Sequence, residues 1–100
     1  MLTMTDSTNG NTRVLHLSGP LAGAEVAALR PRLAAVVAPA NADVLADFSA
    51  VTLLDGAGIG ALAFLHRRLA ANGRRLGVVG ATGQPRDCLR DLGLGRLLAA

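Results

Sequence analysis

Residues 47–62 read DFSAVTLLDGAGIGAL, and the fold follows from how this stretch is divided. With the preceding residues, Val44–Phe48 (VLADF) forms a short apolar run of the kind found in a buried strand. Leu53-Leu54 then leads to Asp55, the residue type that caps a helix N-terminus with its carboxylate. From there Ile59, Leu62, Leu65 and Leu69 recur at helical spacing as a buried stripe with Gly58 at its start, which predicts a helix running to about Ala71. Asn72-Gly73 closes it, and Arg67 and Arg68 stand near its C-terminus, where positive charge is favoured. The stretch is thus a strand followed directly by a helix.

The same alternation continues outward. Arg75–Val79 (RLGVV) reads as a strand, 80–83 as a loop, and Gln84 to about Leu92 as a short helix with Cys88, Leu89 and Leu92 inward. Leu94, Leu97 and Leu98 are expected to pack a last turn on the core. Upstream, Val26, Leu29, Leu33, Val36 and Val37 share one face of a helix over Ala22–Ala38. Pro31 falls on its polar side and is expected to kink it, and Pro39-Ala40-Asn41 breaks it. Arg13–Leu17 (RVLHL) alternates as a strand, with Leu15 and Leu17 opposite Val14 and His16, and Ser18-Gly19-Pro20 is expected to end it. Asn9-Gly10 is a strong hairpin signal, and Leu2–Thr5 is a candidate first strand. The order β-β-α-β-α-β-α favours an α/β sheet with parallel crossovers.

A chain of 100 residues, half of them apolar, fits a single domain over residues 1–100. No apolar run is long enough to cross a bilayer, and the start has no signal-peptide pattern, so no direct membrane insertion is expected. One cysteine, Cys88, permits no internal disulfide and suits a reducing compartment; a cytoplasmic location is expected. All ten basic residues are arginine, yet the net charge is only +3. Tyr and Trp are absent and only Phe48 and Phe64 are aromatic, which argues against nucleic-acid binding by base stacking.

Enzyme chemistry is hard to assemble from these residues. His16 and His66 lie on different elements, and no Cys/His cluster has metal-ligand spacing, so neither metal nor cofactor is expected. Cys88 reads as a small core residue, and His66 as half-buried and bonded to backbone. Gly56, Gly58 and Gly60 lack the Lys-Ser/Thr of a phosphate loop. Asp47 and Asp55 could lie at the same end of the sheet, but structural roles suit them better: a turn bond for Asp47 and the helix cap for Asp55.

The helix after Asp55 has an unusual outer face. Ala57, Gly60, Phe64, Arg67, Arg68 and Ala71 oppose its apolar stripe, so a bare N-terminal half is followed by one aromatic and two arginines. Small residues admit another backbone closely, and Phe with Arg matches the composition of binding hot spots. On this reading Phe64 is exposed, and Phe64→Asp is expected to abolish binding at almost no cost in stability.

The run DFSAVTLLDGAGIGAL resembles the signature of STAS domains, the family of anti-sigma-factor antagonists. Asp47, Phe48 and Ser49 match its Asp-Leu-Ser strand end; Asp55, Gly58, Ile59 and Gly60 match its Asp-Ser-Ser-Gly-Leu-Gly helix start. The downstream NGRRLGVVG segment and the helix ending in LGL are also similar, as is Ser18-Gly19-Pro20-Leu21, with Ala22 in place of the family's Asp. The resemblance spans about Arg13 to Leu98. It implies a mixed four- to five-stranded β-sheet with helices packed mainly on one side, and no enzymatic activity.

The resemblance further implies partner switching. The unmodified domain binds a kinase-type anti-sigma factor, which phosphorylates a serine at the start of the second helix; a PP2C-type phosphatase resets the switch. That serine position is Ala57 here, preceded by Gly56, and no Ser or Thr lies between Thr52 and Thr82. Three situations fit Ala57: a permanently competent member, an engineered Ser-to-Ala replacement, or a branch without phosphorylation. One such branch resembles the STAS subunit of the lipid-asymmetry ABC transporter, whose partner is the transporter ATPase. The expected partner-binding residues are Leu21, Ala22, Asp55, Gly56, Ala57, Gly58, Gly60, Phe64, Arg67 and Arg68.

Overall fold

The computed structural model describes residues 1–37 and 42–98. Strands β1 (Thr3–Asn9) and β2 (Thr12–Leu21) form an antiparallel hairpin in which Asn9 pairs with Thr12. The two-residue loop is therefore Gly10-Asn11, one position beyond the expected Asn9-Gly10. Gly10 takes the first place after the last pair because it can adopt φ +64°. β1 also runs four residues further than Leu2–Thr5 suggested.

β2 does not stop at Ser18-Gly19-Pro20. It passes through these residues to Leu21, with register shifts against its neighbour after His16 and after Gly19. The proline is tolerated because it sits at such a shift, beyond the last pair with β1, where a missing N–H costs little. Strand β3 (Asp43–Leu54) is correspondingly long, continuing past Phe48 to pair Ala50–Leu54 with Ser18–Leu21.

Helix α1 (Gly23–Val37) continues through Pro31, which is exposed. Val26, Leu29, Leu33 and Val37 are buried and Val36 is half-buried, as the spacing required. The Pro39-Ala40-Asn41 break lies outside the described residues. Helix α2 spans Gly56–Ala70, β4 spans Leu76–Val79, and α3 spans Gly83–Asp91, followed by a short 3-10 turn over Gly95–Leu97. At the end of α2, the Arg74 N–H bonds the Leu69 carbonyl and the Gly73 N–H bonds the Ala70 carbonyl. This double closure needs the positive φ of Gly73.

The sheet is mixed and four-stranded, in the order β1-β2-β3-β4, with β2, β3 and β4 parallel. Met4, Leu15, Leu17, Val44, Ala46, Phe48, Leu76 and Val78 share its covered face, and one hydrophobic cluster joins them to the buried stripes of the helices. The other face is left open, with His16 and Asp47 side by side on adjacent strands. Leu89 and Leu97 enter the core and Leu94 and Leu98 pack on it. Leu92, expected inward, is 58% exposed: α3 ends at Asp91, and the chain turns before Leu92 can reach the stripe. Pro85 fills the inward place at the start of α3 instead. No helix among the described residues is long and apolar enough to cross a membrane.

Candidate functional site

The starts of α1 and α2 are held together by one carboxylate. Asp55 Oδ1 accepts from the Gly58 N–H at 3.1 Å, which is the expected cap of α2. Asp55 Oδ2 accepts from the Gly23 N–H, also at 3.1 Å, at the first residue of α1. Both oxygens answer helix N-termini, where unpaired N–H groups and the helix dipole favour negative charge. Between the two helices lies an open groove of about 400 Å³, lined by Gly23, Val26, Ala27, Arg30, Gly56, Ala57 and Gly60.

Of the residues expected to meet a partner, Gly56, Ala57, Arg67 and Arg68 are exposed, and Ala22, Asp55, Gly60 and Phe64 are half-buried. Leu21 and Gly58 require correction as contact residues. Leu21 is 1% exposed and belongs to the core. Gly58 is buried beneath the groove: a Cβ there would collide with the Leu21 carbonyl oxygen and stand 2.6 Å from Leu54 Cδ1. Gly58 is glycine because β2 and α2 pass in backbone contact, so it and Leu21 shape the site from below.

Phe64 is also not the free side chain the sequence suggested. It is half-buried and packs on the core. The Arg30 guanidinium lies over its ring at 5.4 Å and that of Arg68 at 5.7 Å. Such contacts contribute about 0.5–1 kcal/mol each at exposed sites. Phe64→Asp would therefore destabilise the domain as well as alter its face, and it is not a clean probe of binding. Arg30 was missed in the sequence because its spacing marks only a polar position on α1; the ring it covers comes from another helix. Gly60 leaves the space, since a Cβ there would be 3.4 Å from Arg30 Nη2.

The open face of the sheet carries a second polar cluster that the sequence did not assemble. Ser7 Oγ is 3.2 Å from His16 Nε2, and His16 Nδ1 is 3.1 Å from Asp47 Oδ2. Asp47 Oδ1 accepts from the Ser49 N–H at 2.9 Å and from its hydroxyl at 2.6 Å. Asp47 does bond backbone as expected, but at Ser49 within β3 rather than in a turn, because the strand continues to Leu54; Asp47 and Asp55 serve separate places. Although Ser7, His16 and Asp47 line up as in a nucleophilic relay, His16 is 47% exposed on uncovered sheet. Among the described residues no three His, Cys, Asp or Glu side chains form a metal-binding group.

The bonds around Asp47 have a measurable consequence. The Ser49 hydroxyl and then the Ser49 N–H, with a smaller part from His16, hold its carboxyl below the usual aspartate value against a modest desolvation. A carboxyl depressed in the folded state stabilises the fold above its unfolded pKa and loses that contribution as pH falls through the folded value. Urea unfolding should thus show wild type more stable than Asp47→Asn at pH 7, with the gap closing as pH falls through and below the usual aspartate range. A gap of constant size would show that the Asp47 charge is not involved.

His66 differs from expectation: it is half-buried, but its buried Nδ1 has no hydrogen-bond partner among the described residues. The carbonyls nearest a helical side chain belong to the helix ladder, and His66 instead borders a small cavity of about 100 Å³ with Leu62, Ala63, Arg67, Leu94, Arg96 and Leu97. Cys88 is half-buried against the core, consistent with a packing role.

A family model described as "Mlab, STAS domain" matches residues 4–99. Among curated proteins none matches. An anti-sigma factor antagonist from Mycobacterium paratuberculosis has a similar structure, with TM-score 0.86 and 26% identity over 98% of this chain and 83% of that one. The anti-sigma factor antagonist SpoIIAA in its unphosphorylated form gives TM-score 0.81 at 19% identity, over 99% and 86% of the two chains. The Bacillus cell fate determinant SpoIIAA in the phosphorylated form gives 0.72 at 20%, over 99% and 89%. At such identities the SpoIIAA structures show a shared fold. With the family match spanning almost every residue, this chain belongs to the STAS domain family.

Proposed function

We propose that this domain is an anti-sigma-factor-antagonist-like regulator that docks the α1–α2 groove on a kinase-type anti-sigma factor and performs no chemistry itself. The observation that supports this reading most directly is the groove. Gly56, Ala57 and Gly60 leave its α2 wall bare, and one carboxylate fixes its two helix starts relative to each other. A pre-formed surface loses little entropy on binding. Similarity to the mycobacterial antagonist supports a partner of the same kind.

With alanine at position 57 there is no hydroxyl to phosphorylate. The domain is then binding-competent without a kinase–phosphatase cycle, and its output follows its abundance. A second reading is favoured by the family description itself: a subunit that docks the same groove on an ABC transporter ATPase of the lipid-asymmetry type.

The test is titration calorimetry of the purified chain against a purified histidine-kinase-like anti-sigma factor and, separately, an ABC transporter ATPase from the same genome. Ala57→Glu places a charge at the exposed second position of α2 and should weaken the true pair by at least roughly tenfold without unfolding the domain. Binding only to the transporter protein would replace the first reading by the second. Equal affinity of wild type and Ala57→Glu would remove the helix start from the contact.

A further inference from the structure

We propose that Arg30 selects the partner: held over Phe64 at the edge of the groove, it receives a carboxylate from an acidic segment of the docking protein. The inference rests on the docking reading of the groove and adds the charge of what docks there.

Arg30 is placed rather than loose. Its guanidinium lies 5.4 Å from the Phe64 centroid, in the space that Gly60 leaves. A guanidinium held by the ring's π-cloud spends none of its N–H groups on a hydrogen-bond acceptor, so its N–H fork can take a carboxylate in bidentate geometry. Among the described residues nothing takes that role. Among the described residues the acid–base pairs are Arg13 with Asp6, His16 with Asp47 and Arg86 with Asp87, and Arg30 has no carboxylate within 4 Å.

The charge around the groove points the same way. Asp55 uses both oxygens on the N–H groups of Gly58 and Gly23. Position 22 carries alanine, so the loop entering α1 adds no negative charge. Arg67 and Arg68 stand exposed on the face that carries Phe64. Glu25, in the first turn of α1, accepts from the Leu2 N–H at 2.9 Å and does not line the groove. With both of these acids bonded to backbone, the groove presents arginine, and a complementary partner presents Asp or Glu. The bare wall at Ala57 and Gly60 lets that segment approach closely enough for the pairing.

The test uses the purified ATPase partner from the titration above, at low and high salt. Arg30→Met keeps a long side chain on Phe64 without charge; Arg30→Lys keeps charge without the planar fork. We expect Arg30→Met to melt close to wild type and to bind at least tenfold more weakly at low salt. Its difference from wild type should shrink at high salt, and Arg30→Lys should recover only part of the loss. Arg30→Glu should bind more weakly still, and its binding should be restored by reversing one Asp or Glu on the partner's docking segment. If Arg30→Met and Arg30→Glu bind like wild type while Ala57→Glu does not, the role of Arg30 is overturned and the groove reading stands. If Ala57→Glu also binds like wild type, both fall. Arg30-dependent adsorption to phosphatidylglycerol vesicles, with no loss of ATPase affinity in Arg30→Met, would overturn a protein carboxylate as the occupant.

Discussion

Gly58→Ala should lower the melting temperature by roughly 10–20 °C, the size expected when about 3 kcal/mol is lost from a domain of this length. The added methyl meets the Leu21 carbonyl oxygen and the Leu54 side chain. A backbone oxygen held in a strand cannot yield as a flexible side chain can, so β2 and α2 would have to separate. Helix propensity opposes this, because alanine is better than glycine inside a helix by about 1 kcal/mol. The collision wins because overpacking a tight contact typically costs about 1–3 kcal/mol, and more when backbone must move. The neighbouring glycines give the internal control. A Cβ at Gly56 meets nothing within 4 Å, and one at Gly60 meets only Arg30 Nη2 at 3.4 Å, a contact that needs no more than a small shift of that side chain's end. Alanine at either position should leave the melting temperature unchanged or raise it. Calorimetric melting of the three variants checks the ordering, and a Gly58→Ala protein as stable as Gly56→Ala would refute the close approach.

Asp55→Ala should lower the urea midpoint with little change in slope, by an amount equivalent to about 2–3 kcal/mol. Losing an ordinary cap costs about 1 kcal/mol. Here the same side chain also serves the Gly23 N–H at the start of α1, so two helix starts lose their acceptor together. Asp55→Asn separates the contributions. Its single carbonyl oxygen can keep the bond to Gly58, while its amide group would face the Gly23 N–H donor to donor. The Asn variant should fall about midway. If it is as unstable as Asp55→Ala, the stabilisation comes from the carboxylate charge acting on the helix dipoles rather than from two separate bonds. Either variant should weaken partner binding, because the groove walls are no longer fixed to each other.

The sequence made the order of elements legible because its local signals agree with the tertiary result. The stripe of Leu62, Leu65 and Leu69, the cap at Asp55 and the stop at Asn72-Gly73 all act within one or two turns of chain. It misplaced the ends of β2 and β3 because Ser18-Gly19-Pro20 carries breakers whose effect depends on the neighbour. A register shift absorbs the proline, and no sequence pattern reports a register shift. The outer face of α2 was recognised by composition, but depth was not. Gly58 heads the apolar stripe yet was also expected to touch a partner, and Phe64 was expected to be free; only the passage of Leu21 and the reach of Arg30 from α1 show that the first is sealed beneath the groove and the second covered. The Ser7–His16–Asp47 line was invisible for the same reason: it joins three strands across the sheet rather than residues along the chain.

The parallel pairing of β2 with β3 also governs the order of events in time. β1 and β2 can zip from their two-residue loop on a microsecond scale, since their partners are close along the chain. The centre of the sheet has no such shortcut: Thr12 finds Asp43, and Leu21 finds Leu54, only after the whole of α1 has been looped out between them. That closure is an entropic cost met before any central contact offsets it, which is why mixed α/β domains of this kind fold more slowly than helical bundles. The Asp55 bond to Gly23 spans the same loop, so the clasp at the groove and the central strand pair share one closure, and the docking surface depends on the same long-range contact that completes the sheet.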